Sequence, residues 1–299
     1  MEKFNMQGTR HRGARYIFLI ALLALLGACS SLRLAYNNGD TLLFWWLDAY
    51  VDLDSAQKPG VKSDIGDFFR WHRKTQLQDY AQVLKHAQKQ LQANPALADL
   101  QADYKDIRSR TEAAMLKAAP DIAELALALK PEQLAQMEKK FAKNNSDFRK
   151  KNMKGGRDER LKFRYKKSME QFELWFGNFS REQEDAIRKA SDARPLDNEL
   201  WLDERIRRQK GIIGLARKIQ QERPAPAAAE AMVRQLIEEN FDRTEKPSDR
   251  KAFFDAYQTG TMELVLAVIR IATPEQKAHA HQRMQGWIDD LNALAAQPN

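Results

Sequence analysis

The sequence predicts an all-α protein, an elongated multi-helix bundle following an N-terminal lipoprotein signal peptide. Three observations predict it. Apolar residues recur at intervals of three and four along most of the chain, the spacing of one helix face. Glycine is sparse, at 13 residues, while the strong helix formers Ala, Leu, Lys, Gln, Glu and Arg fill the chain. Pro95, Pro120, Pro131, Pro195, Pro226 and Pro274 each stand where a helix can start, because the first helical turn has no partner for the missing N–H. No strand or hairpin pattern competes with this.

The chain opens with Lys3, Arg10, Arg12 and Arg15 against the single acid Glu2. An apolar run of 11 residues, Tyr16 to Leu26, follows, then the small residues Gly27 and Ala28. These are the parts of a secretory signal, predicted over residues 1–28. The run is too short for a spanning helix, which needs roughly 20 residues. Leu26-Gly27-Ala28-Cys29 resembles the bacterial lipobox. That resemblance implies lipidation of Cys29, with residues 29–35 as a lipidated tether. Two or three acyl chains would anchor stably where one binds only marginally. Ser30 after the cysteine implies, by the same resemblance, outer-membrane sorting with the domain facing the periplasm. Cys29 is the only cysteine in 299 residues. Once it is acylated no thiol is left for a disulfide, and packing alone must hold the fold.

An aromatic stretch follows, with Tyr36, Phe44, Trp45, Trp46 and Tyr50 around Leu42, Leu43 and Leu47. It reads as an amphipathic helix packed into the core. Phe44, Trp45 and Trp46 are also candidate membrane-proximal aromatics, since Trp and Tyr favour the membrane interface. Next, Ile65, Phe68, Phe69, His72, Gln76, Tyr80, Val83, Leu84, Ala87 and Leu91 predict one face of a single long helix. Asn144-Asn145 and Gly155-Gly156 predict breaks in a basic stretch. Arg223-Pro224-Ala225-Pro226-Ala227 reads as a connector between a main bundle, 36–222, and C-terminal helices, 227–299, packed on that bundle or beside it. Glu245 to Ser248 reads as a loop with Ser248 capping the next helix. Phe253, Phe254, Tyr257, Leu264, Val265, Val268 and Ile269 then repeat the helical spacing, as do Met284, Trp287, Ile288, Leu291 and Leu294. The total is about eight to ten helices.

A local pattern recurs at Asp54-Ser55-Ala56-Gln57, Lys130-Pro131-Glu132-Gln133, Ser180-Arg181-Glu182-Gln183 and Thr273-Pro274-Glu275-Gln276. It is the capping box, in which the first side chain accepts a backbone N–H and the fourth reaches back. Lys130 has no acceptor, so that copy is incomplete. The glutamines are separated by 76, 50 and 93 residues, which fits no regular repeat. The fragments also resemble the Leu-Thr-x-x-Gln repeats of small helical periplasmic stress chaperones.

The strongest binding signal is charge. Lys139 to Lys167 holds thirteen Lys or Arg against Asp147, Asp158 and Glu159. Its candidate residues for an anionic ligand are Lys139, Lys140, Lys143, Arg149, Lys150, Lys151, Lys154, Arg157, Arg160, Lys162 and Arg164. The segment's net +10 exceeds the +8 of the whole chain, so the rest is net acidic. Such a layout steers anions, and a solvated helix-loop-helix face is the plainer account of it. Nucleic acid is not an expected partner of an envelope protein. The histidines do not converge: His72 reads as a packed core residue, and His279 and His281 fall on different helix faces. No HExxH, nucleophile elbow or phosphate-cradling glycine loop is present. No metal, no cofactor and no catalytic residue is predicted.

Leu34 to Asp48, Val51-Asp52-Leu53, Trp71-His72-Arg73, Leu77 to Tyr80, Trp175 to Gln183 and Glu199 to Leu202 together resemble an uncharacterised family of proteobacterial helical lipoproteins, a domain of unknown function. The resemblance implies a helical envelope lipoprotein and brings no activity with it. The expected function is therefore non-enzymatic: a lipid-anchored envelope protein that binds another envelope protein or an anionic lipid or polymer. A chaperone-like stress role and a hydrolase with an unrecognised site are the alternatives.

Overall fold

A computed structural model describes residues 31–241 and 249–297 of the chain. The signal peptide, Cys29 and the Glu245–Ser248 loop lie outside the described residues. Thirteen α-helices and no strand occur among the described residues. They are α1 (Ser31–Asn37), α2 (Gly39–Val51), α3 (Gln57–Thr75), α4 (Leu77–Ala93), α5 (Leu97–Lys117), α6 (Ala119–Ala128) and α7 (Pro131–Asn152). After a turn at 153–156 come α8 (Arg157–Phe176), α9 (Arg181–Ala193), α10 (Asn198–Glu222), α11 (Pro226–Phe241), α12 (Asp249–Ile271) and α13 (Pro274–Ala295). Among the described residues, none of these helices is long and apolar enough to cross a membrane.

The helices outnumber the sequence expectation because some join through one residue. Asn38, Gln76 and Ala118 each separate two helices. The single long helix expected across Ile65 to Leu91 is therefore two, α3 and α4. At their junction Thr75 turns its hydroxyl back onto the Trp71 carbonyl, 2.8 Å away, a contact that bends helices. The break expected at Asn144-Asn145 does not occur, and α7 runs through it. Asn145 is buried in a reciprocal amide pair with Gln209 of α10, at 2.7 and 3.2 Å, and Asn144 donates to the Tyr50 hydroxyl. Tertiary partners override the turn preference of asparagine. Ser31 to Ala35, assigned above to the tether, already belong to α1. That helix packs on α13, with Arg33 2.8 Å from Asp290 and Leu32 against the cluster that holds Leu77, Ile288 and Leu294.

The four glutamine fragments explain the architecture. Gln57 and Gln133 hydrogen-bond each other side chain to side chain, and so do Gln183 and Gln276. Each amide oxygen also accepts the backbone N–H of its own cap residue, Asp54, Lys130, Ser180 or Thr273. Each amide nitrogen donates to the carbonyl five residues ahead of its partner: Gln57 to Ala128, Gln133 to Asp52, Gln183 to Ile271 and Gln276 to Asn178. One device is thus used four times, in two clasps. Ser180 and Thr273 make full capping boxes. Lys130, which cannot cap, instead places its ammonium 2.8 Å from Asp54, the cap across the clasp.

The clasps mark two halves of six helices each, α2–α7 and α8–α13, with α1 as an addition. In each half the first helix packs on the second and the sixth, and the second packs on the fifth. The halves are interlocked. α4 lies along α13, and its counterpart α10 lies along α7; α5 meets its own counterpart α11. The two main cores show the same exchange. Phe44, Val61, Ile65, Leu134 and Met137 of the first half close over Ile213 and Ala216 of α10. Tyr165, Met169, Ile187, Val268 and Ala280 of the second close over Leu91 of α4. The glutamine spacings looked irregular because the repeat unit is a six-helix half that carries two of them.

Candidate functional site

The halves differ most at α12. Measured back from the clasp glutamine, α6 begins 14 residues ahead of Gln133, whereas α12 begins 27 ahead of Gln276. The added length, residues 249–261, carries Arg250, Lys251, Phe254, Asp255 and Tyr257. These residues, the start of α10 and the end of α7 line two adjoining clefts that share Phe148 and Trp201. Their volumes are about 420 and 230 Å³. The candidate site thus lies where the two halves differ.

Aromatic rings form one wall. Trp201 packs edge-on to Phe254 and Tyr257, at centroid distances of 4.8 and 5.2 Å. The Arg205 guanidinium lies over Phe148 at 5.2 Å, a favourable cation–π placement.

The floor is cationic. In the larger cleft one carboxylate, Glu204, serves three guanidiniums: Arg207 at 2.9 Å, Arg208 at 2.6 Å and Arg250 at 3.1 Å. Burial pushes the Glu204 carboxyl up, but its bonds from Arg207 and Arg208 outweigh that and hold its pKa down at about 2. Under the smaller cleft, Arg164 donates to the carbonyls of Pro195, Ser191 and Arg194 at 2.7, 2.8 and 3.1 Å. Arg194 is buried against Ser168 and Ser191. Neither guanidinium makes an ion pair among the described residues. Burial, together with the charge of Arg194, lowers the Arg164 pKa to about 10. Burial lowers that of Arg194 as well.

Of the residues expected to meet an anion, Arg160 and Arg164 line the smaller cleft, with Lys167 beside them. Arg160 donates to the Met153 carbonyl at 3.1 Å and so straps the turn between α7 and α8. Arg149, Lys150, Lys151, Lys154, Arg157 and Lys162 stand exposed around that turn, at the rim. Lys139 and Lys143 are exposed further back on α7, and Lys140 lies over the Tyr50 ring at 5.4 Å. The run of charge therefore divides into a cleft pair, a rim and three residues apart from both. Sequence reasoning missed Trp201, Arg205, Arg250 and Arg194, which come from other helices. The Glu199-to-Leu202 stretch, which contains Trp201, enters the sequence reading only as resemblance.

The aromatic residues near the N-terminus divide too. Phe44 is buried, whereas Trp45 and Trp46 are exposed. His72 sits among Tyr36, Phe68, Trp71 and Tyr80, accepting at Nδ1 from the Tyr36 hydroxyl at 2.9 Å in the tautomer that suits it. His279 meets the Trp175 carbonyl at 2.8 Å. Among the described residues no group of His, Cys, Asp or Glu could hold a metal ion.

The model of a family of unknown function, DUF6279, matches residues 49–246. The chain belongs to DUF6279. No curated protein and no solved structure matches it. In DUF6279 numbering by this chain, the match spans the end of α2 through α11. It includes the first clasp, Gln183 and the helix ends that carry Phe148, Arg160, Arg164 and Trp201.

Proposed function

We propose that this chain is a non-enzymatic envelope protein, lipid-anchored through Cys29 and sorted to the outer membrane. It binds an anionic envelope component in the paired clefts between α7, α8, α10 and α12. The observation that carries the reading is Arg164, half-buried in the lining of the smaller cleft and bonded to the backbone of the buried Arg194, with both guanidiniums held only by neutral acceptors. A buried cation without a counter-charge is costly, and an anion in the cleft relieves that cost. The Glu204 cluster, three guanidiniums on one carboxylate, adjoins it in the larger cleft, and the exposed rim from Arg149 to Arg157 steers an anion toward the smaller one. Trp201, Phe148 and Tyr257 supply an apolar wall, so the favoured ligand joins an anionic group to an apolar or planar body.

The test is calorimetric titration of the protein with two soluble polyanions, a short polyphosphate and a short polyglutamate. Saturable binding is expected. Arg160→Gln with Lys167→Gln weakens it at least tenfold, and Lys150→Glu, Lys151→Glu, Lys154→Glu and Arg157→Glu together abolish it. Helicity stays unchanged in both variants. Binding of both polyanions that is unaffected by either variant overturns the reading. The stronger of the two probes separates phosphate from carboxylate ligands.

A further inference from the structure

The two halves give an internal comparison for the exposed side of their first helices. α2 and its counterpart α8 do the same packing work, each against the second and sixth helix of its half. Their outward faces differ. α8 is exposed at ten positions, and eight carry charge, among them Lys162, Lys166, Lys167, Glu170 and Glu173. Across α1 and α2, residues 34 to 49 are also exposed at ten positions, and only Asp40 is charged. Large apolar side chains stand in water there: Leu34 at 67 % exposure, Leu42 at 50 %, Trp45 at 61 % and Trp46 at 56 %. Leu42, Trp45 and Trp46 follow the i, i+3, i+4 spacing of one helix face. Phe44, on the opposite side, is 7 % exposed and fills the core. Folding alone does not account for a second apolar face, because the core is already served by the first.

We infer that this face lies on the surface of the lipid bilayer, with α1 and α2 parallel to it. The chain ahead of the helices decides the occupant. The anchor cysteine of the proposed function, Cys29, is two residues before Ser31. Two residues reach at most about 7 Å when fully extended, so α1 starts within that distance of the lipidated residue. A helix standing upright would lift Trp46 roughly 20 Å higher still, at 1.5 Å per residue. A helix lying flat brings Leu34, Leu42, Trp45 and Trp46 to the headgroup boundary. There tryptophan is favoured, and there amphipathic helices dock. No second cysteine precedes α8, and its face is charged. The inference shares the Cys29 anchor with the proposed function and makes no use of the clefts.

The experiment reconstitutes the full chain, purified from membranes, into vesicles of zwitterionic phosphatidylcholine brominated on the acyl chains. The absence of anionic lipid keeps the basic clefts out of the result. Two of the six tryptophans, Trp45 and Trp46, lie on the face. Bromine is expected to quench about a third of the tryptophan emission, and Trp45→Phe with Trp46→Phe removes that quenching while the fold is kept. Unquenched wild-type emission overturns the inference and indicates a protein partner on this face. Equal quenching in wild type and variant also overturns it, since other tryptophans would then be in lipid.

Discussion

At the scale of single residues, the clasp glutamines connect sequence to fold most directly. Each side chain satisfies a cap N–H, a carbonyl and its twin, and Gln133 and Gln276 do so while buried. Truncation leaves the cap N–H and the distant carbonyl without partners, at a cost of about 1–3 kcal/mol for such a group. Gln133→Ala and Gln276→Ala should each lower the thermal midpoint by several degrees, whereas Glu132→Ala, exposed beside Gln133, should not. Two titrations belong to this scale. Burial lowers the His72 pKa, so the fold favours the neutral ring. The unfolded chain takes up a proton below about pH 6.5, its ordinary value. Stability from this site is therefore present above that pH and is lost as pH falls through it. His72→Phe should flatten the denaturation midpoint between pH 7 and pH 5. Glu204, held at about 2 against an ordinary 4.5, contributes stability above pH 4.5 and loses it as pH falls toward 2. Emission from Trp201, one turn away, should report that loss, and Glu204→Gln should remove the transition.

At the scale of elements, periodicity, proline placement and capping chemistry made the helices legible. Thr273 and Ser180 open helices as their side chains require, and α12 and α13 follow their apolar spacing. The junctions at Asn38, Gln76 and Ala118 were not legible, because a one-residue bend leaves the hydrophobic pattern intact. Asn144-Asn145 misled for the opposite reason: two turn formers were recruited as buried hydrogen-bonding groups. The turn between α7 and α8 was read correctly, and its geometry makes it specific. Gly155 has φ +71, and a Cβ there would strike the Glu159 side chain. Gly155→Ala should cost about 1 kcal/mol or more. It should also shift the rim lysines, which a fall in polyanion affinity would detect. The candidate site was half legible. Charge density pointed to Arg160 and Arg164, but Trp201 and Arg250 reach the clefts through tertiary packing across long sequence separations. The aromatic stretch shows the limit most plainly: Phe44 and Trp45 are neighbours of similar hydropathy, and only packing tells which faces the core.

At the scale of the whole molecule, the interlocking of halves governs how the protein comes apart. Residues 153–156 are the only chain link between α2–α7 and α8–α13 in sequence, yet α4 lies on α13 and α10 on α7. A protease site placed at Gly155-Gly156 and cut in the native protein should leave both fragments together on gel filtration, with helicity retained. Each fragment expressed alone lacks the helix that closes its core, and it should be mostly unfolded or self-associated. Fragments that separate cleanly and stay folded would contradict the exchange of α4 and α10.

That four-residue turn also sets what each half is free to become. Two separate, identical six-helix chains, paired in the same way, would meet only at a concentration set by their affinity, whereas joined halves meet at the high effective concentration of a short linker. Identical chains would also have to display every surface twice, an apolar face at one end and the same face at the other. A membrane can touch only one of them, and the second would be an exposed aggregation hazard. Continuity of the chain removes that constraint. One half carries Trp45 and Trp46 outward, the other lengthens a helix to build a charged cleft, and neither change is imposed on its twin.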